Sequence, residues 1–426
     1  MTTGNIFSSC TDDFEKLNTS NIQVDPADLP FAAQCTEPMT YCYPPQQNMF
    51  QFWTNLTIDL YGGYFMTPNG NFTNGDMGEN RGHSGGMYEN YYLHIFNNTR
   101  RIIAQCDASG ERGLSGVMRI VQAYGTLMTT DAYGPIPYSS ILSGENEVYF
   151  EFDSQKDLYK AMLEDLSTAI TDISAMGADE IAKLKSFDCW CNGDKDLWVK
   201  IANTMKLRMA LRLSKRETEA GNAGMNLKAI ATEAAQNTLA TVNKDILIDK
   251  SLENEMWLMF NWGDCGFNAN LVTIMSGTKD PRQPLYMTLN TGDIKNEAGT
   301  TTVAANSQYL GIRFASGLPA KPNSWGNFSG WIQGNNGSSY SMPLPIMKAA
   351  EAYFLLAEAK LRWDIGSESV KNLYENGIRV SMTNELAYRG AYAGIKEYPE
   401  GAVDAYINGT STQIDYTDPI KAELST

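Results

Sequence analysis

Residues 197–212 read LWVKIANTMKLRMALR. Apolar side chains recur in this run at intervals of three and four residues, while polar and basic side chains fall between them. The apolar stripe consists of Leu197, Ile201, Ala202, Met205, Met209 and Leu211, and the residues predicted to lie outside it are Lys200, Lys206 and Arg212. This period predicts an amphipathic helix over about 196–216 that packs on a neighbouring helix.

The same spacing occurs elsewhere in the chain. It predicts further helices over about 88–108, 111–131, 155–175, 225–237, 345–363 and 367–387. Small residues such as Ala357 and Ala359 stand where such helices would touch. The fold is therefore predicted to be mostly α, with a tetratricopeptide-like solenoid of helical pairs as scaffold, an irregular loop-rich insert and short strands.

The composition changes along the chain and divides it into four predicted parts. Residues 1–40 form a lipid-anchor region and an extended arm, because the stretch 11–48 is polar and rich in proline. Residues 41–250 form an N-terminal helical block with an aromatic loop, in which the stretches 68–75 and 82–86 are predicted to be loop. Residues 251–344 are an irregular insert rich in aromatic residues and Asn, and 345–426 are a C-terminal helical block.

Charge and composition exclude several classes of protein. The chain of 426 residues has 49 acidic and 33 basic residues and a net charge of −16, which would repel a nucleic acid. Its two histidines, His83 and His94, are too few for a three-histidine zinc site. The seven cysteines form no CxxC pair, and most are interpreted as small buried apolar residues. No cofactor and no metal site are predicted.

Several motifs resemble signatures of the SusD/RagB family, in the family's order. They are Arg119-Ile120-Val121-Gln122-Ala123-Tyr124, Asp131-Ala132-Tyr133-Gly134-Pro135-Ile136-Pro137-Tyr138, Tyr159 with Asp165-Leu166, Asp188, Asn192-Gly193-Asp194, Trp198, Ala202-Asn203-Thr204-Met205-Lys206-Leu207-Arg208 with Arg212, Asp280-Pro281-Arg282, and Met342-Pro343-Leu344-Pro345 leading to Glu351 and Leu355-Leu356-Ala357-Glu358-Ala359. Each motif also has a purely structural explanation, because the run before Arg208 is typical of helix packing and the prolines end a helix.

The resemblance implies a function and a location. Family members are lipoproteins of the cell surface that lie as a lid on a SusC-like TonB-dependent transporter of the outer membrane. They deliver oligosaccharides to it, or peptides in some members. The resemblance also implies a further helical segment after the point where this chain stops, Thr426, so the C-terminal block is predicted to be incomplete.

The N-terminal residues resemble the end of a bacterial lipoprotein signal. Ile6-Phe7-Ser8-Ser9-Cys10 is followed by polar residues, and processing would leave Cys10 as the acylated first residue. Nine residues before Cys10 are too few for a signal peptide with an apolar run of about 7–15 residues. Cys10 is then either the anchor of a longer precursor or an ordinary thiol, and the family resemblance favours the anchor.

Aromatic residues beside asparagines predict the binding site. Pyranose rings stack their C–H faces on Trp and Tyr, and their hydroxyl groups pair with side-chain amides. The aromatic-rich segment 41–99 is a candidate for contact with the sugar or the transporter. The residues predicted to bind ligand are Trp325, Trp331, Asn323, Asn327, Phe72, Asn69 and Trp262, with Trp325 and Trp331 expected to be free of any core role.

Other functions stay open at this stage. A peptide-binding member of the same family is the main alternative, and a protein-interaction solenoid would have a polar groove instead. A glycoside hydrolase would need two carboxylates about 5–10 Å apart, for which Asp59, Glu79 and Asp264 are candidates, although no motif pairs them. The chain is therefore not expected to be an enzyme. Carboxylates that could hold Ca²⁺ in a loop, or simply face water, are Asp188, Asp194 and Asp196.

The anchor hypothesis makes a direct prediction. A full-length precursor should carry fatty acid at Cys10 and sediment with the outer membrane, because acyl chains partition into lipid. The variant Cys10→Ala should appear in the soluble fraction after a high-salt wash. If it still sediments with membranes, the lipid hypothesis is wrong.

Overall fold

A computed structural model describes residues 29–43, 47–69, 72, 78–143, 149–248, 255–296, 298–314, 325–332, 342–419, 421 and 422. Helices dominate these residues, and the strands form only two-stranded antiparallel pairs. The prediction of a mostly α fold with short strands is confirmed.

The helices fall into the order that the periodicity predicts. Before residue 249 the α-helices are Phe31–Tyr41, Gln47–Met49, Asp59–Tyr61, Arg81–Ser84, Gly86–Asn90, Asn97–Ser109, Arg112–Tyr133, Ser139–Leu142, Gln155–Ser174, Ala178–Lys185, Lys195–Arg212, Glu217–Asn222 and Leu227–Ala234. Two π-helical stretches, Phe50–Ile58 and Tyr91–Phe96, continue the helices beside them. Later α-helices are Glu255–Asn261, Ala269–Gly277, Gln283–Tyr286, Ala349–Trp363, Val370–Ala393 and Ala402–Ile407.

The strands of the described residues form five pairs, of which three connect distant parts of the chain. They are Phe65–Met66 with Gly266–Phe267, Ile136–Pro137 with Phe152–Asp153, Ile246–Ile248 with Leu344–Met347, Met287–Asn290 with Ser329–Trp331, and Ile294–Lys295 with Thr301–Val303. The first of these pairs and the pair Met287–Asn290 with Ser329–Trp331 both contribute to the cleft described below.

The scaffold is a series of helices in which each packs on the next. Arg112–Tyr133 packs on Asn97–Ser109 before it and on Gln155–Ser174 after it. Small residues allow this close approach: a Cβ added at Gly125 would lie 2.8 Å from Cγ2 of Ile95. Such helical pairs in sequence are the arrangement that the spacing predicts.

The helix Lys195–Arg212 lies at the centre of the scaffold. Asp194 caps it by accepting hydrogen bonds from the backbone N–H groups of Asp196 (3.0 Å) and Leu197 (3.2 Å). The helix packs on Gln155–Ser174, Leu227–Ala234 and Ala349–Trp363. The prediction that Lys206 lies outside is therefore wrong, because helices surround it on several sides. Lys206 is 2% exposed and pairs with Glu233 at 3.0 Å.

Charged residues of the family-like motifs connect the scaffold helices. Arg119 donates to Asp107 at 2.9 Å and to Asp165 at 2.8 Å. Arg208 donates from two nitrogens to the carboxylate of Glu351, at 2.5 and 2.6 Å. These bidentate and charge-assisted contacts fix the relative positions of the helices.

The acidic loop weighed for Ca²⁺ has a structural role. The carboxylate of Asp188 accepts hydrogen bonds from the backbone N–H groups of Trp190, Cys191 and Gly193, and from Nε1 of Trp198 at 2.8 Å. Asp194 is the helix cap described above. Among the described residues, no group of His, Cys, Asp and Glu side chains is arranged to hold a metal ion.

Several local predictions are wrong. Residues 31–41 form a helix with Pro38 inside it rather than an extended arm. Residues 82–86 contribute to two short helices, because Asn80 caps the first by accepting from the N–H of His83. Residues 344–347 are a strand, so the later helix begins at Ala349. The insert holds three short helices that its composition did not predict.

The aromatic segment 41–99 is divided between core and surface. Phe50, Trp53 and Tyr91 are buried, whereas Tyr61 and Tyr64 are 41% and 54% exposed. The contact of this segment with a sugar or a transporter stays a prediction. The six described cysteines are free thiols, and all but Cys189 are buried, as predicted. No helix in the described part of the chain is long and apolar enough to cross a membrane. The four-part division of the chain stays a prediction.

The ion pair Arg208–Glu351 makes a prediction about stability. In Glu351→Ala the guanidinium of Arg208, whose side chain is 13% exposed, loses both charge-assisted hydrogen bonds. We expect the free energy of unfolding to fall by about 2 kcal/mol in urea titrations. The matched control is Glu219→Ala, which removes the exposed pair with Arg216 and should change it by less than about 0.5 kcal/mol. Equal effects in the two variants would contradict the structural role.

Candidate ligand-binding cleft

A cleft of about 510 Å³ opens in the insert. Its volume is within the range of about 300–1,000 Å³ that small-molecule sites occupy. The described residues that line it are Pro68, Phe260, Asn261, Trp262, Gly263, Cys265, Gly266, Thr288, Thr291, Ile312, Gly326, Phe328, Ser329, Gly330 and Trp331. The cleft thus brings Trp262 and Trp331, two of the residues predicted to bind ligand, together with Pro68, the neighbour of Asn69.

One wall of the cleft is an aromatic cluster built around Trp331. Its ring stacks on Phe267, with centroids 5.9 Å apart and an interplanar angle of 15°, and lies 5.7 Å from the ring of Phe260. Trp331 is 6% exposed. The prediction that Trp331 has no core role is therefore wrong: it belongs to the core and presents only an edge to the cleft.

Arg389 supports this wall from the helix Val370–Ala393. Its guanidinium carbon lies 5.4 Å from the centroid of Trp331 and 4.8 Å from that of Tyr286, which is a cation–π arrangement. Nε of Arg389 donates to Glu385 at 2.7 Å, and Nζ of Lys348 lies 2.5 Å from the same carboxylate. Burial alone would raise the pKa of Glu385, but Arg389 and Lys348 outweigh it and lower the pKa to about 2. The carboxylate is ionised at neutral pH and holds Arg389 behind Trp331.

The mouth of the cleft carries Trp262, which is 37% exposed. The helix Glu255–Asn261 ends just before it, and Gly263 adopts a φ of +70°, a left-handed conformation that glycine reaches without strain. The side chain of Asn261 is exposed beside Trp262 and makes no hydrogen bond to any described residue. An exposed indole and an available amide therefore stand together at the entrance.

The floor of the cleft rests on a buried carboxylate. Asp264, between the lining residues Gly263 and Cys265, accepts hydrogen bonds from Nε2 of Gln51 at 3.0 Å and from Nδ2 of Asn69 at 2.9 Å. Asn69 is itself 9% exposed. The amide of Asn69 thus holds the segment before it against the insert, which places Pro68 in the cleft wall.

The other predicted ligand residues are distributed around the cleft or away from it. Asn327 donates to the carbonyl oxygen of Asp293 at 2.9 Å, beside the lining residue Gly326. Phe72 packs on His83, with centroids 5.7 Å apart, and does not line the cleft. The backbone of Trp325 begins a 3₁₀ turn, Trp325–Asn327. Cys10, Asn323 and the side chain of Trp325 lie outside the described residues.

The lining residues that the sequence did not predict to bind ligand include Phe260, Thr288 and Thr291. Phe260 could have been found, because it follows Trp257 by three residues on one helix. The two threonines carry no such signal: they reach the cleft only because Met287–Asn290 pairs with Ser329–Trp331. The carboxylates weighed for a hydrolase, Asp59, Glu79 and Asp264, are not among the lining residues. Burial raises the pKa of Asp59 to about 7.

The different burial of Trp331 and Trp262 predicts different effects of the two residues on stability. Trp331→Ala should lower the free energy of unfolding by roughly 3–5 kcal/mol, because it leaves a cavity among Phe260, Phe267 and Arg389. Trp262→Ala should lower it by less than about 1 kcal/mol, since Trp262 is 37% exposed in the folded protein and less of its surface is buried than that of Trp331. Urea unfolding of both variants measures the difference. An unchanged midpoint for Trp331→Ala would show that the ring is not part of the core.

Comparisons with known proteins agree with the fold. Residues 15–426 match the SusD-like family, described as SusD and RagB outer membrane lipoproteins. No curated protein sequence matches the chain. A SusD-like protein from Bacteroides thetaiotaomicron is 25% identical, with a TM-score of 0.70, and the match covers 88% of this chain and 72% of that one.

Two further solved structures have the same fold. A SusD homologue from Bacteroides ovatus is 25% identical, with a TM-score of 0.71 over 92% of this chain and 74% of that one. A chitin-binding SusD homologue from Flavobacterium johnsoniae is 23% identical, with a TM-score of 0.72 over 89% of this chain and 73% of that one. The match to the family extends over nearly the whole chain, and the chain belongs to the SusD-like family.

Proposed function

We propose that this protein is a glycan-binding lipoprotein of the outer-membrane surface. It takes a short oligosaccharide into the cleft of the insert and delivers it to a partner SusC-like TonB-dependent transporter. Membership of a family described as outer membrane lipoproteins supports the location. Acylation of Cys10 would supply the membrane anchor. Membrane fractionation of Cys10→Ala tests this.

The observation that carries the binding role is the pair Trp262 and Asn261 at the mouth of the cleft. A pyranose has an apolar face that gains by stacking on an indole and a rim of hydroxyl groups that need hydrogen-bond partners. Trp262 offers the ring surface, and the amide of Asn261 can both donate and accept. Deeper in the cleft, the rings of Phe260 and Phe328 continue the apolar wall.

The backbone around the cleft is held in place before a ligand arrives. Gly330 N–H donates to Oγ1 of Thr288 at 3.0 Å, and Oγ1 of Thr291 donates to the carbonyl oxygen of Gly326. Asp264 and Arg389 support the floor and one wall from behind. A site that rearranges little loses less conformational entropy when a ligand binds, so the binding free energy is more favourable. The chitin-binding homologue with the same fold supports a carbohydrate as the ligand class.

The proposal predicts a selective effect of Trp262. In Trp262→Ala, the affinity for the best oligosaccharide of a glycan array should fall about ten-fold by calorimetry, which corresponds to about 1.4 kcal/mol. The loss comes from one stacked sugar ring. The matched control is Phe354→Ala, which removes an aromatic ring of the same 37% exposure from the helix Ala349–Trp363. That variant should bind like the parent protein.

Three results would contradict the proposal. Unchanged affinity in Trp262→Ala, with Phe354→Ala also unchanged, would remove the cleft mouth from the binding site. Binding of peptides but of no glycan on the array would assign the protein to a peptide-binding role. New reducing ends after incubation with polysaccharide would make it a hydrolase instead of a binding protein.

A further inference from the structure

The cleft lining has a property that the proposed function does not use. None of the described residues that line it is Asp, Glu, Lys or Arg. Its polar groups are the amide of Asn261, the hydroxyl groups of Thr288, Thr291 and Ser329, the indole N–H groups of Trp262 and Trp331, the buried thiol of Cys265 and backbone groups. The chain as a whole has 49 acidic and 33 basic residues.

The cation that packs against the cleft wall is already paired. Arg389 lies behind the ring of Trp331 and forms a salt bridge with Glu385. Arg313 follows the lining residue Ile312 and is exposed, but it is not among the described residues that line the cleft.

We infer that this cleft selects neutral glycans and rejects those that carry carboxylate or sulfate groups. This inference rests on the proposed function and specifies its ligand class. An anionic group that enters the cleft would lose water and meet no cation to compensate it, which is costly for any buried charge. A neutral hydroxyl group has no such cost, because threonine hydroxyls keep a lone pair free and Asn261 offers both donor and acceptor.

The test uses one glycan in three forms. The first is the neutral oligosaccharide that binds best on an array of neutral and acidic glycans. The second is the same oligosaccharide oxidised at C6, so that a primary alcohol becomes a carboxylate. The third is the methyl ester of that product, which keeps the added size and removes the charge. Calorimetry with all three separates charge from shape.

We expect oxidation to lower the affinity at least ten-fold and esterification to restore it to within about three-fold of the neutral form. Binding of the neutral form should not change between 20 and 500 mM NaCl, because no ion pair is formed. Tight binding of acidic glycans, or affinity that falls with salt, would overturn the inference while leaving glycan binding intact. Absence of binding to every glycan would refute the proposed function and this inference with it.

A charge introduced at the cleft mouth provides a second test. In Asn261→Lys an ammonium group would stand beside Trp262, and the affinity for the oxidised glycan should rise several-fold and become sensitive to salt. The control is Asn372→Lys, at an exposed position near the start of the helix Val370–Ala393. It changes the net charge equally without placing a charge in the cleft, and should leave the oxidised glycan weakly bound. An equal rise in affinity for the oxidised glycan in both variants would mean that the overall charge of the protein, not the cleft lining, determines the discrimination.

Discussion

The ion pair between Arg208 and Glu351 connects two parts of the chain that are 143 residues apart. It holds the helix Ala349–Trp363 on Lys195–Arg212, a largely buried helix of the scaffold. Just before that later helix, the strand Leu344–Met347 pairs with Ile246–Ile248. The insert between these strands therefore leaves the scaffold and returns to it at one place. Its length and irregular sequence can vary without moving the helices on which it stands.

The insert also contacts the helix Val370–Ala393. Arg282 donates to the hydroxyl group of Ser381 at 2.8 Å and forms a salt bridge with Asp280, so a family-like motif of the insert contacts the helix Val370–Ala393. Arg389 of the same helix supports Trp331. One long helix thus contacts the insert at two points about two turns apart. The cleft belongs to the insert, but the C-terminal helices determine how rigid its wall is.

The sequence is a good guide to the helices and a poor guide to which aromatic rings are exposed. The spacing of apolar residues along a helix is a local pattern. For this reason the helices Lys195–Arg212 and Val370–Ala393 could be predicted from the sequence. The burial of Trp331 depends on Phe65, Phe267 and Arg389, which come from three distant segments. No local pattern reports such partners. The same reason explains Lys206: its spacing places it on the polar side of one helix, but further helices cover that side.

The absence of charged side chains from the described cleft lining also depends on tertiary contacts. Asp264 stands in the sequence between two lining residues, yet its carboxylate accepts hydrogen bonds from Gln51 and Asn69 behind the floor. The net charge of −16 repels an acidic glycan at long range, whereas the uncharged lining acts only on the part that enters. At physiological ionic strength, salt screens the long-range repulsion beyond about 8 Å. It does not remove the free-energy cost of dehydrating a carboxylate. Discrimination against acidic glycans should therefore persist in high salt if the lining causes it, and disappear if the overall charge does.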